Sequence, residues 1–332
     1  MLHSEPFHRR PSLPGVVLLA GLWLAAVAPA GATMIFADGF EECGIDRWSA
    51  GPFPTVSERF IGVTPAELAE ALGACGPSLV AAEFRLADGS VPSGGQLADM
   101  ANSQSAVFVQ FGTAGPPPIL PTAGPSLAAL SSGTARDADT PGYIAPEPGT
   151  DFASSSPPPA VVLAAHGGSL PTYPGCPAPA ATAHDPVALR LTLHVPATAT
   201  RLALDWLFLS ANFAEWLCTV ADDYFMIVVQ GSSPALPADR NLALDSSGNP
   251  MSSMHDDYYY CQATPPFTCL GGDGRLLGTG YEMGIGGATD WHTAFVPVVP
   301  GETLVVDLMV FEGLDGTIDT AVLLDGLRWL GD

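Results

Sequence analysis

HDPVALRLTLHVPATATRLALDWLFLSANFAEWLCTVADDYFMIVV, residues His184–Val229, contains the pattern from which the fold follows. In its first part Val187, Leu189, Leu191, Leu193 and Val195 occupy every second position, with Arg190, Thr192 and His194 between them. That is the period of a strand with one face buried. Leu202, Leu204, Trp206 and Phe208 repeat the pattern in Arg201–Leu209, and an apolar run follows at Tyr224–Gln230. Working outward, further strand-like runs lie at Val80–Leu86, Ala106–Phe111, Val161–Ala165, Phe295–Val299, Leu304–Phe311 and Ala321–Trp329. Several are apolar on both faces, as expected where two sheets stack.

Only one helix is expected. Thr64 can cap it, Pro65 suits its first position, Glu67 can close a capping box, and Gly73 can end it. Long Pro/Gly/Ser loops are expected at Gly115–Pro125, Pro141–Pro159 and Pro171–Ala181. The fold class that results is mainly β: a jelly-roll-like antiparallel β-sandwich with one short N-terminal helix.

Residues 1–32 read as a signal peptide. His8, Arg9 and Arg10 form a basic start, Val16–Val27 an apolar core too short to span a bilayer, and small residues follow at Ala28-Pro29-Ala30 and Ala30-Gly31-Ala32. A short segment, 33–54, comes next, and 55–332 reads as a single β-sandwich domain. No second hydrophobic span is visible, so no membrane span is expected after signal cleavage.

The 332 residues carry a formal charge of −23 and no lysine. Such a chain repels nucleic acid and anionic lipid surfaces. Apolar residues make up 47% and charged ones only 14%, which indicates a folded domain and not an acidic tail. From Asp205 to Asp332, eighteen Asp and Glu face three Arg, an excess that favours a divalent cation and also plain solubility. The six cysteines (Cys43, Cys75, Cys176, Cys218, Cys261 and Cys269) all lie beyond the signal and are expected in disulfides. Of fifteen pairings the one adopted is Cys43–Cys75, Cys176–Cys218 and Cys261–Cys269, the last on proximity.

Four blocks taken together resemble the choice-of-anchor L domain of exported bacterial proteins. They are TPAELAEALGACGPSLVAAEF (Thr64–Phe84) with the loop Leu130–Tyr143, then His184–Val229, then NLALDSSGNPMS (Asn241–Ser252), and finally GATDWH (Gly287–His292) through Val299–Trp329. IFADGFE, within Met34–Trp48, resembles a short motif found near the termini of exported proteins. The resemblance implies an exported β-domain, secreted or held in the periplasm or at the outer cell surface. This family is named for variable C-terminal sorting signals. The chain ends at Asp332 soon after its last strand, so release or non-covalent retention is expected. No family activity comes with the resemblance.

Chemistry is expected where acids gather. Glu215, Asp222 and Asp223 share the connection Ser210–Phe225, and Asp315, Asp319 and Asp325 flank a late strand. Asp222, Asp223 and Asp319 are the candidate metal ligands, for a structural Ca2+, since calcium takes carboxylate and carbonyl oxygens. Turn capping by these same acids is the alternative. Asp137-Ala-Asp139-Thr-Pro-Gly142 begins like an EF-hand loop but lacks its later ligands. Tyr258, Tyr260 and Asp257 form a candidate ligand patch, with rings to stack on sugars and a carboxylate to bond hydroxyls. Packing of alternate tyrosines beneath a disulfide loop is the other reading. No nucleophile elbow, zinc-protease helix or phosphate loop occurs, and no enzyme is expected. The expected role is adhesion or surface interaction with an unknown surface polymer, glycan or protein. Carbohydrate binding is the alternative, and a secreted hydrolase the third choice.

Overall fold

In a computed structural model of the chain, the residues described are 33–34, 58–113, 118–254, 257–265 and 267–331. Residues 1–32, expected as a signal peptide, Cys43 and most of the 33–54 segment lie outside them. The described residues, from Thr33 on, form one compact unit.

The strands are β1 (Thr33–Met34), β2 (Leu79–Arg85), β3 (Ser105–Phe108), β4 (Leu127–Ser131), β5 (Ser155–Ser156), β6 (Ala183–His194), β7 (Arg201–Ser210), β8 (Asp223–Gln230), β9 (Tyr260–Cys261), β10 (Gly287–Ala288), β11 (His292–Pro297), β12 (Thr303–Glu312) and β13 (Thr320–Gly331). They build two antiparallel sheets. The larger runs β3-β4-β13-β7-β10-β9, with β1 on β13 and β11 on β7. The smaller runs β2-β6-β12-β8, with β5 on β6. The mainly-β sandwich expected from the alternating runs is what the chain forms.

Alternation fixes what each face meets. Val187–Leu193 on β6, Phe225, Ile227 and Val229 on β8, and Leu304–Val310 on β12 send every second side chain into the core between the sheets. Leu202–Phe208 on β7, with Val322 and Leu324 on β13, meet them from the opposite sheet. Both outer faces are covered as well. Leu207, Leu209, Ala321 and Leu323 pack under loops holding Leu276 and Tyr281, while Tyr224, Met226, Met309 and Phe311 pack with Val162 and Leu170. This explains why β8 and β13 read as apolar on both sides.

The helix Pro65–Ala71 has both arms of its capping box: Thr64 Oγ1 accepts from Glu67 N (3.3 Å), and Glu67 Oε2 accepts from Thr64 N (2.8 Å). Two more helices form beside the one expected. Ser93 and Gln96 box the helix Gly94–Asn102, whose opening Gly94-Gly95 masks it in the sequence. Val161–Ala165, expected as a strand, lies in the helix Ala160–Ala165 directly after Pro157-Pro158-Pro159. It has no strand partner, buries only Val162, and its alanines favour helix.

Disulfides join Cys176 to Cys218 and Cys261 to Cys269. Cys75 is disulfide-bonded too. Among the described residues no helix is long and apolar enough to cross a membrane. Both observations are consistent with an exported protein.

Candidate functional site

At one end of the sandwich the inner faces change from apolar to oxygen-bearing. On β8 the inward series Val229, Ile227, Phe225 ends at Asp223, and on β12 the series Leu304, Val306, Leu308, Val310 ends at Glu312. The ladder places Glu312 directly opposite Asp223, a position that sets Cβ atoms ~5 Å apart. From the larger sheet, Thr320 is the inward neighbour of Val322 on β13 and pairs with Ser210 on β7. Asp319 stands one residue before it. Ser132 completes this rim, its main-chain N–H donating to Thr320 O (2.9 Å) and its hydroxyl accepting from Thr320 N (2.9 Å).

These acids are sealed from solvent: Asp223 is 3%, Glu312 2% and Asp319 1% exposed. Asp319 Oδ1 accepts from Thr150 N (3.0 Å). By contrast Asp223 Oδ2, both oxygens of Glu312, Asp319 Oδ2 and the Thr320 hydroxyl are buried without a hydrogen-bond partner. No ion pair among the described residues reaches them. Burial, which disfavours the ionised form, pushes Asp319 up to about 7. It raises Asp223 and Glu312 well above the carboxylate range, although the Thr320 and Ser132 side chains beside them pull the other way, and the charges of their neighbours add to it: Asp222, Asp319 and Asp315 on Asp223, Asp223, Asp319 and Asp185 on Glu312. Asp185, also buried, is lifted to about 6, although Phe152 N and Ser154 N both donate to it.

Of the expected ligands, the fold brings Asp223 and Asp319 to this end and sets Asp222 apart. Asp222 turns to the 252–254 segment, where Ser253 Oγ donates to its Oδ1 (3.0 Å). Burial raises it to about 7. Glu215 and Asp315 are exposed, and Asp325 lies further along β13, accepting from Thr122 N, Ala123 N and Gly326 N. The missed member is Glu312. Continuing the two-residue period of Leu304–Val310 by one step finds it, as does running Val229–Phe225 back to Asp223. Among the described residues no three His, Cys, Asp or Glu side chains already stand at a common metal-ligand distance.

The tyrosine patch is corrected by burial. Tyr258 (7% exposed) packs against Phe213 with ring centroids 4.3 Å apart and donates to Ser253 O (3.1 Å). Tyr260 (6%) donates to Asp290 Oδ1 (3.2 Å) and lies under Arg275. Both rings are packing elements beneath the Cys261–Cys269 loop and present no free face for stacking; Tyr259 between them is the exposed one. Asp257 accepts from Ser246. Asp137, in the EF-hand-like loop, is a turn cap, accepting from Gly112 N (2.9 Å) and the Thr140 hydroxyl.

A groove of about 750 Å³ lies on the outer face of the smaller sheet, lined in part by Val228, Met309, Gln230 and Arg240. On its floor Arg190 grips Asp307 with two bonds, Nε to Oδ1 (2.7 Å) and Nη2 to Oδ2 (2.8 Å).

Comparisons with protein-family models, with curated proteins and with solved structures found no match.

Proposed function

We propose that this is an exported, non-catalytic β-sandwich protein of the choice-of-anchor L type, serving adhesion or surface interaction. The observation that carries the reading is where the reactive groups lie. The carboxylates that converge (Asp223, Glu312 and Asp319) are closed between the sheets, beyond the reach of a substrate. Acid–base chemistry needs a group within hydrogen-bond reach of the substrate, so these acids are given a structural role. The surface supports a contact function. At that end of the sandwich the segment leading to Cys218 and the Cys261–Cys269 loop meet through Phe213 and Phe267, with ring centroids 5.3 Å apart, and Trp216 and, just past Cys269, Leu270 are exposed.

Carbohydrate binding is the second reading, and the outer-face groove is the observation that favours it. Its volume lies in the range of small-ligand sites. It combines the apolar side chains of Val228 and Met309 for a sugar's C–H face with Gln230 and Arg240 for its hydroxyls.

Adhesion of the mature protein to cell-surface preparations, a glycan array and a broad hydrolase panel separate these readings. Retention on surfaces that weakens in Trp216→Ala and Leu270→Ser, with no turnover, is the expected result. Glycan binding lost in Gln230→Ala and Arg240→Ala replaces it with the second reading. Turnover that disappears in Glu215→Gln or Asp319→Asn overturns both.

A further inference from the structure

We infer that the polar end of the sandwich binds one hard divalent cation, calcium, held between the two sheets by Asp223, Glu312 and Asp319. Five buried oxygens without a partner gather there: Asp223 Oδ2, Glu312 Oε1 and Oε2, Asp319 Oδ2 and the Thr320 hydroxyl. Buried polar groups are normally hydrogen-bonded, and a buried acid left bare is costly. Three such acids within one another's field call for positive charge, and among the described residues no arginine supplies it. Arg190 and Arg328 are committed to Asp307 and Asp205, and His184, opposite Glu312 in the ladder, forms no ion pair with it.

The chemistry selects the ion. All the donors are oxygens, carboxylate and hydroxyl, with no thiol or imidazole among them, which excludes a preference for zinc or copper. The donors come from β8, β12 and the approach to β13, so their directions are irregular. Calcium tolerates irregular coordination and accepts about six to eight oxygens, whereas magnesium demands near-octahedral order. Because no three acids are yet at a common ligand distance, entry of the ion has to draw them inward by side-chain rotation. The Thr320 hydroxyl, without a partner of its own, is available to join the shell. Asp222, facing Ser253, is outside this set.

This deepens the structural role given above to the buried acids and rests on it. It does not depend on what the surface contacts. Isothermal titration of CaCl2 into the EDTA-stripped mature protein, with thermal melts in CaCl2, MgCl2 and ZnCl2, tests it. One calcium per chain and a rise in Tm specific to calcium are expected. Glu312→Gln and Asp319→Asn should weaken calcium binding by roughly tenfold or more. In EDTA each should melt at or above the wild-type temperature, since each removes a buried acid. A folded wild type giving neither heat nor a calcium-dependent rise overturns the proposal, as do variants that bind calcium like the wild type. Either result leaves the adhesion assay standing, and loss of adhesion in the surface variants leaves the calcium titration standing.

Discussion

Asp319 occupies its place because two glycines leave room for it. A methyl group on Gly133 would fall 1.7 Å from Asp319 Oδ2, and one on Gly149 2.5 Å from Oδ1. Gly149 also has a left-handed φ of 86°, whereas Gly133 does not, so at Gly133 the requirement is space alone. Gly133→Ala should therefore force the carboxylate aside, lowering stability by about 1–3 kcal/mol in urea unfolding. Gly133→Ala combined with Asp319→Ala should recover much of that loss; a pair that merely adds would show that the two residues do not meet. Arg136 shows the opposite case, a buried cation satisfied without any carboxylate. Its guanidinium donates to the carbonyls of Phe60, Asn102, Ser105 and Ala135, tying the first helix's approach to the second helix and β3. Nothing in the local sequence around Arg136 or Gly133 announces either role, because the partners come from distant segments.

The strands were legible where burial is regular. β6 and β7 follow from alternation, and β8, β12 and β13 from their apolar runs, because each sends long apolar side chains into the core. β4, LAALS, escaped because alanine and serine carry little strand preference. It is buried along its whole length and hydrogen-bonds between β3 and β13, so its neighbours and not its composition make it a strand. The reverse holds at Ala160–Ala165, where an apolar run without a neighbouring strand winds into a helix. Local chemistry suffices for the helix Pro65–Ala71, whose cap and box partners lie within four residues. Thr64→Ala should cost about 1 kcal/mol of stability, with Thr64→Ser close to the wild type. Equal losses in the two variants by chemical denaturation would show that the hydroxyl is not what caps the helix.

Across the fold the acidic excess is divided between an exposed share, which water screens, and a buried share, which is not screened. Besides the polar cap, burial lifts both Asp137 and Asp325 to about 6, against hydrogen bonds that work to lower them. A carboxyl whose folded pKa is raised holds its proton more tightly folded than unfolded. Its contribution is complete below the unfolded value near 4 and is lost as pH rises through about 6. Glu67 and Glu302 are lowered and act in the opposite sense at more acidic pH. In EDTA, Tm should therefore be higher near pH 5 than near pH 7, measured by circular dichroism. A Tm that climbs steadily from about pH 5 to pH 7 would contradict this account.

Read alone, the chain determined that it is a mainly-β sandwich with a capped first helix, a disulfide former by its cysteines, and a carrier of two acidic segments. Those properties come from alternation, capping and composition, which act between near neighbours. Only the tertiary structure decided that Glu312 stands opposite Asp223, that Asp222 faces away, and that Tyr258 and Tyr260 are packed and not presented. Register between strands far apart in the chain, and the packing that buries one face of each, settles which side chains meet.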